Sequence, residues 1–157
     1  MKKFLSGALV LGAVLLSADS AEAQLRDVKM LTLDAAKTMA DAAEAEADAN
    51  GWSVVIAIVD DAGDLVLLRR SDAVQRGSID IAIAKARTAA RLRRDTKALA
   101  DAVAGGRTEI LSADLMALEG GVAIVLDGQA LGGIGASGVQ SSQDAQIARA
   151  GLAALTP

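Results

Sequence analysis

The sequence predicts an α+β fold, an antiparallel β-sheet flanked by helices in the order α-β-β-α-α-β-β-α. Three observations carry that prediction. Apolar runs at residues 54–59 and 120–126 are each followed by a turn and a second strand-like run. The turns are Asp61-Ala62-Gly63 and Asp127-Gly128; Asp-Gly between apolar runs signals a hairpin because both residues tolerate positive φ. Around the hairpins the apolar residues recur at three and four positions, the helical period. Strands joined as hairpins give an antiparallel sheet with helices packed on it, not a doubly wound parallel one.

Taken in order, the chain opens as an export segment. Lys2 and Lys3 precede a short apolar run from Phe4 to Leu16, and Ala21-Glu22-Ala23 has the pattern of a cleavage site. The expectation is a signal peptide over 1–23, a single domain over 24–157, a periplasmic or secreted location, and no stable membrane insertion after cleavage. A retained N-terminal anchor is the alternative. Thr32 is placed to cap a helix, with Asp34 in its first turn. Leu33, Ala36, Ala40, Ala43 and Ala47 form one face of that helix, and Asn50-Gly51 ends it.

Val54 to Val59 is continuously apolar, the mark of a strand covered on both faces. Leu65 to Leu68 returns antiparallel, and Ser71 to Gly77 is a polar loop. Ser78 is expected to cap the next helix, with Ile79, Ile83, Ala86 and Ala90 as its buried stripe. A short helix over Lys97 to Val103 is broken by Gly105-Gly106. Residues 107–118 read as a loop with a brief strand or turn. After the second hairpin, a helix runs from about Ser142 to Leu155. Its apolar faces are Ile147, Gly151 and Ala154 and, beside them, Ala148, Leu152 and Leu155. The strands are apolar on both sides, yet the helices are few. Either the helices divide between the two faces or a neighbouring subunit covers one of them.

Composition excludes several chemistries. The 157 residues contain no His, no Cys and no Tyr, and Trp52 is the one aromatic residue beyond the export segment. A histidine-based triad and a cysteine nucleophile are excluded. So are zinc held by His or thiolate and haem iron held by His, Cys or Tyr within one chain. Export brings no disulfides here. The net charge of −4 argues against nucleic acid as a partner.

The segment GGVAIVLDGQALGGIGASGVQSSQDAQIARAGLAAL, preceded by SVVIAIVDDAGDLVLLRR and GSIDIAIAKARTAA, resembles the GlcG/HbpS family of small haem-binding-like proteins. It is also similar to the domain appended to some corrinoid adenosyltransferases. The resemblance implies a profilin-like α+β domain, a homo-oligomer that covers the second sheet face, and a haem-binding or haem-sensing role. It places Arg69, Asp72, Ser78 and Lys85 on the loop and helix beside the family's cleft. It places Gly132, Gly135, Ser137 and Gly138 on a glycine-rich strand lining a pocket wall. Asp144 falls where the family shows an acid.

Residues 133–138 match G-x-G-x-x-G letter for letter. A dinucleotide site needs that motif between a first strand and a helix of a βαβ unit. Here it ends a hairpin, so the physical reading is a strand whose glycines admit a close backbone or a ligand. Ser137, Gly138 and the helix start at Ser141 or Ser142 can form an anion nest, or one serine can simply cap the helix. Between Arg69 and Arg107 ten basic residues stand against four acids, and Arg87, Arg91 and Arg94 are spaced to share a helix face. A cationic patch beside an apolar wall suits carboxylates, tetrapyrrole propionates among them. The bland alternative is a solvated face, or contacts with the acidic first helix. Lys85 can act as a base if buried, or snorkel with Asp80 as partner. Met116 is a candidate axial ligand for iron, with a hydroxyl such as Thr88 or Thr108 as a substitute; methionine otherwise fills a core. Asp41 and Glu44 could offer two oxygens to a cation, too few to hold one alone.

Three functions follow. The first is an exported binding module for haem or another carboxylate, held at a subunit seam. The second is a lyase or isomerase acting on a small hydroxy or keto acid, with Lys85 or an Asp as base and Arg69 as carboxylate anchor. The third is a non-catalytic assembly protein whose apolar faces only build an oligomer.

Overall fold

Both predicted hairpins form, and they join into one sheet. The computed structural model describes residues 28–155; the expected export segment and its cleavage site lie outside them. The elements are α1 (Leu33–Ala49), β1 (Val55–Asp60), β2 (Leu65–Arg70), α2 (Ser78–Leu92), α3 (Lys97–Ala104), a 3-10 turn (Thr108–Ser112), β3 (Gly121–Leu126), β4 (Gln129–Ser137) and α4 (Ser141–Ala153). The strand order is β2-β1-β4-β3, with every neighbouring pair antiparallel. The second hairpin turns at Asp127 and Gly128, whose φ values of 51° and 77° match the twist of the flanking strands.

The chain's own helices cover both sides of the sheet. Ile56, Ile58, Ile124 and Ile134 pack with the apolar faces of α1 and α4. Val55, Ala57 and Val59 pack with Ala82, Ala86 and Ala90 of α2. Of the two alternatives, helices divided between the faces is the one realised, and the cover by a neighbouring subunit that the resemblance implied is not needed for the sheet. Few helices suffice because α2 alone spans β1, β4 and β3.

The sheet's two edges differ. At β3 the loop after α2 closes the ladder. Thr96 N–H donates to Gly121 O at 2.9 Å and Gly121 N–H donates to Thr96 Oγ1 at 2.9 Å. Asp95 Oδ1 accepts from Ala123 N–H at 3.2 Å. A loop that satisfies an edge strand in this way blocks pairing with another chain. β2 pairs only with β1 among the described strands.

Thr32 caps α1 as expected, its Oγ1 accepting from Ala35 N–H at 3.1 Å. Gly51, with φ +68°, closes the other end in a Schellman motif, Gly51 N–H bonding Asp48 O and Trp52 N–H bonding Ala47 O. Several expectations need correction. Ser78 is the first residue of α2 and caps nothing. Of the expected stripe, α2 buries Ala86 and Ala90, together with Ser78, Ala82, Lys85, Thr88 and Ala89, while Ile79 and Ile83 lie half-buried on its flank. Arg93 takes the left-handed conformation and ends α2, so Arg94 shares no helix face with Arg87 and Arg91. Gln140, not a serine, caps α4, in a reciprocal capping box with Gln143. Of the brief strand or turn expected over residues 107–118, the turn is the one that forms. Among the described residues no helix is long and apolar enough to cross a membrane.

Candidate functional site

The glycine-rich strand seats a helix. Side chains alternate along a strand, so Gly133 and Gly135 of β4 share the face that α2 covers. Gly121 of β3 lies directly across from Gly135. A Cβ on Gly133 would strike Ala86 O, one on Gly135 would strike Ala82 O, and one on Gly121 would strike Lys85 O. Of the two readings open for these glycines, close approach of a backbone is the one realised. Gly132 and Gly138 are likewise closed in, against Val59 O and Ser53 O. Ser137 is 5 % exposed at the end of β4. The expected pocket wall is therefore a packed layer interface, not an opening.

The close seat brings Lys85 to a partner that its sequence neighbourhood hides. Its Nζ donates to Asp144 Oδ2 at 2.7 Å and to Ala136 O at 3.1 Å. The pair is nearly sealed, with side chains 2 % and 3 % exposed. Asp80 is not the partner, and Lys85 does not snorkel. Asp144 also accepts from Val139 N–H through Oδ1 at 3.3 Å. The nest after β4 thus holds an anion supplied by the chain itself. Burial pushes the Asp144 carboxyl above its usual range, against the pull of the Lys85 ammonium and of the Val139 and Gly138 N–H groups.

The other residues expected beside the cleft are not brought together. Arg69 is paired with Ile56 in register, on the face toward α1, where its guanidinium meets Asp41 and Glu44. Its anion-binding forks are thus engaged by the first helix, through Asp41 and Glu44. Asp72 is exposed in the loop after β2 and has no ion-pair or hydrogen-bond partner among the described residues. Ser78 lies on the opposite side of the sheet from Arg69, fully buried, and its Oγ has no hydrogen-bond partner. An unpaired buried hydroxyl is a cost. Ser78→Ala should therefore leave stability unchanged or raise it by about 1 kcal/mol, read as the urea midpoint. A loss of that size would mean that the hydroxyl has a partner.

What the structure does assemble is a groove on the outer side of α2. Ala84, Arg87, Thr88 and Arg91 line it, together with Asp114, Leu115 and Met116 from the irregular segment before β3; its volume is about 140 Å³. Thr88 Oγ1 accepts from Met116 N–H at 2.9 Å and so ties that segment to the helix. The two arginines are fixed from behind. Arg87 Nε donates to Gly63 O and Arg91 Nε to Ala62 O, each at 3.0 Å. The turn receives them closely because residue 63 is glycine; a Cβ there would lie 2.9 Å from both Arg87 Cγ and Arg91 Nε. The Nη groups of both arginines have no partner among the described residues. A guanidinium held by its Nε presents its remaining N–H donors as a pre-set fork for a carboxylate. Asp114 forms no ion pair among the described residues, so the side chains lining the groove carry a net positive charge. The sequence pointed to Arg87 and Arg91 as one cationic patch and to Met116 and Thr88 as iron-ligand candidates; Ala84, Asp114 and Leu115 carried no signal.

The fold and the groove together are those of a small α+β domain, an antiparallel sheet covered by helices on both faces with an arginine-lined groove beside α2. A family model described as haem-degrading and HbpS-like matches residues 31–153. The chain belongs to this HbpS-like family. It is 44 % identical over 109 residues to protein GlcG of Escherichia coli strain K12, covering 69 % of this chain and 81 % of GlcG. The crystal structure of a double mutant of HbpS from Streptomyces reticuli superposes with a TM-score of 0.78 at 30 % identity, covering 99 % of this chain and 100 % of that one. The crystal structure of a PduOC–haem complex superposes with a TM-score of 0.74 at 30 % identity, covering 81 % and 96 %.

The groove fits one half of a haem and not the other. Two pre-set guanidinium forks suit propionates. The usual iron donors are missing, because the sequence has no His, Cys or Tyr. Its volume of about 140 Å³ is also well below the roughly 300–1,000 Å³ of pockets that enclose such ligands.

Proposed function

We propose that this chain is an exported binding protein for haem or a related carboxylate-bearing tetrapyrrole. The carboxylates sit on Arg87 and Arg91, and a second copy of the chain completes the enclosure. The observation that carries this reading is the pair of arginines that line one groove, each pinned through Nε and without an Nη partner among the described residues. Membership of the HbpS-like family and likeness to a haem-bound neighbour support the ligand class. The small volume supports a shared site. So do the exposed Leu92, Leu111 and Leu118, which lie on α2 and on the segment that forms the groove. The lyase or isomerase reading finds no support, since Lys85 is sealed against Asp144 and Arg69 is engaged by α1.

Hemin titration followed by Trp52 quenching tests the proposal. The double variant Arg87→Gln/Arg91→Gln should bind at least about tenfold more weakly, as expected for losing charge-assisted pairs. Unchanged binding by a folded double variant would remove the groove from consideration. Sedimentation of the chain with and without hemin checks the second copy.

A further inference from the structure

We infer that this chain recognises a tetrapyrrole through its carboxylates and apolar face alone, and takes the metal-free macrocycle as readily as the iron-loaded one. The inference rests on the groove reading above and concerns what that groove selects. An iron-specific site needs an axial donor, and the donor set here is poor. The sequence offers no His, Cys or Tyr, and a second copy of the same chain adds none. Thr88 is 4 % exposed, and its hydroxyl oxygen already accepts the Met116 N–H. That leaves two donors in the groove lining: the Met116 thioether, which is soft and by itself holds iron weakly, and the Asp114 carboxylate, which suits hard cations and is not among the usual axial ligands of haem. Of the other methionines described, Met39 is buried in the core and Met30 lies before α1, away from the groove residues.

The groove's strong donors all address the ligand's periphery. Arg87 and Arg91 are each committed through Nε to the β1–β2 turn and free at Nη. Ordering them costs little when a carboxylate arrives, because the protein has already fixed them. Hemin and protoporphyrin IX carry the same two propionates and the same apolar ring. Every interaction identified in the groove, except weak ones from Met116 and Asp114 to iron, is common to both.

The experiment compares three probes on the full chain: hemin, metal-free protoporphyrin IX and protoporphyrin IX dimethyl ester, each followed by Trp52 quenching. The expected result is dissociation constants for hemin and the free porphyrin that agree within about threefold, with the ester at least about tenfold weaker. Met116→Leu should change neither of the first two. Hemin binding more than about tenfold tighter than the free porphyrin, or lost selectively in Met116→Leu, would overturn the inference while leaving the groove reading standing. Failure of both macrocycles to bind would overturn the groove reading itself, and this inference with it.

Discussion

Lys85→Ala should destabilise the fold by about 3–5 kcal/mol, because it leaves the Asp144 carboxylate buried without its counter-ion. Asp144→Ala should cost a similar amount by stranding the ammonium. Domains of this size are stable by about 5–15 kcal/mol, so either change removes a large share. The double variant Lys85→Met/Asp144→Leu should recover most of the loss, since an apolar pair of similar volume avoids the desolvation of two charges. Urea unfolding of the four proteins provides the measurement. Single variants that lose less than about 1 kcal/mol would show that the pair is solvated and the site open. The comparison also separates structure from catalysis: a base acting on substrate would lose turnover in a stable fold, whereas this clamp loses the fold. A pH signature accompanies it. The folded chain holds the Asp144 proton more tightly than the unfolded chain does. The contribution of this carboxyl to stability therefore falls as pH rises from the ordinary carboxylate range through the raised one. Asp144→Asn should abolish that slope.

The second large effect is expected at Gly135. Its Cα lies beneath α2, and an added Cβ would meet Ala82 O and lie 2.7 Å from Ala86 N. Both obstacles are backbone, so no side chain can swing away. Gly135→Val should cost about 3 kcal/mol, at the upper end of overpacking penalties, and Gly135→Ala somewhat less. The damage should spread, because lifting α2 off β4 also lengthens the reach of Lys85 to Ala136 O. A pocket-wall role for this glycine makes a different forecast: a normally stable Gly135→Ala that fails only to bind ligand. Thermal unfolding beside hemin titration distinguishes the two.

The fold was legible because its signals are local. Asp127-Gly128 sets a hairpin by itself, Thr32 and Gly51 bracket α1, and the unbroken apolar run of β1 announces cover on both sides. The site was less legible because its partners are distant. Lys85 and Asp144 are 59 residues apart, and only the seating of α2 on glycines brings them together. Arg69 invited an anion-binding role, but strand register turns it toward the acids of α1. The buried stripe of α2 was misplaced because large apolar residues were expected to face the sheet. The glycine floor instead admits only alanine-sized contacts there and pushes Ile79 and Ile83 to the flank. Arg87 and Arg91 were readable as cations. That their Nε atoms are tethered to the β1–β2 turn was not, since it depends on where a hairpin tip comes to rest against a helix.

The unequal borders of the sheet limit how copies of this chain can add to one another. With Thr96 and Asp95 occupying the Gly121 and Ala123 amides in the first half of β3, the outer side of β2 is the freer edge for strand addition. Two molecules joined there by antiparallel pairing would make an eight-stranded sheet whose margins are each blocked over the first half of β3. Further strand addition at those margins would find half of each ladder taken, so the architecture disfavours fibril growth through its backbone and favours side-chain surfaces for any larger ring.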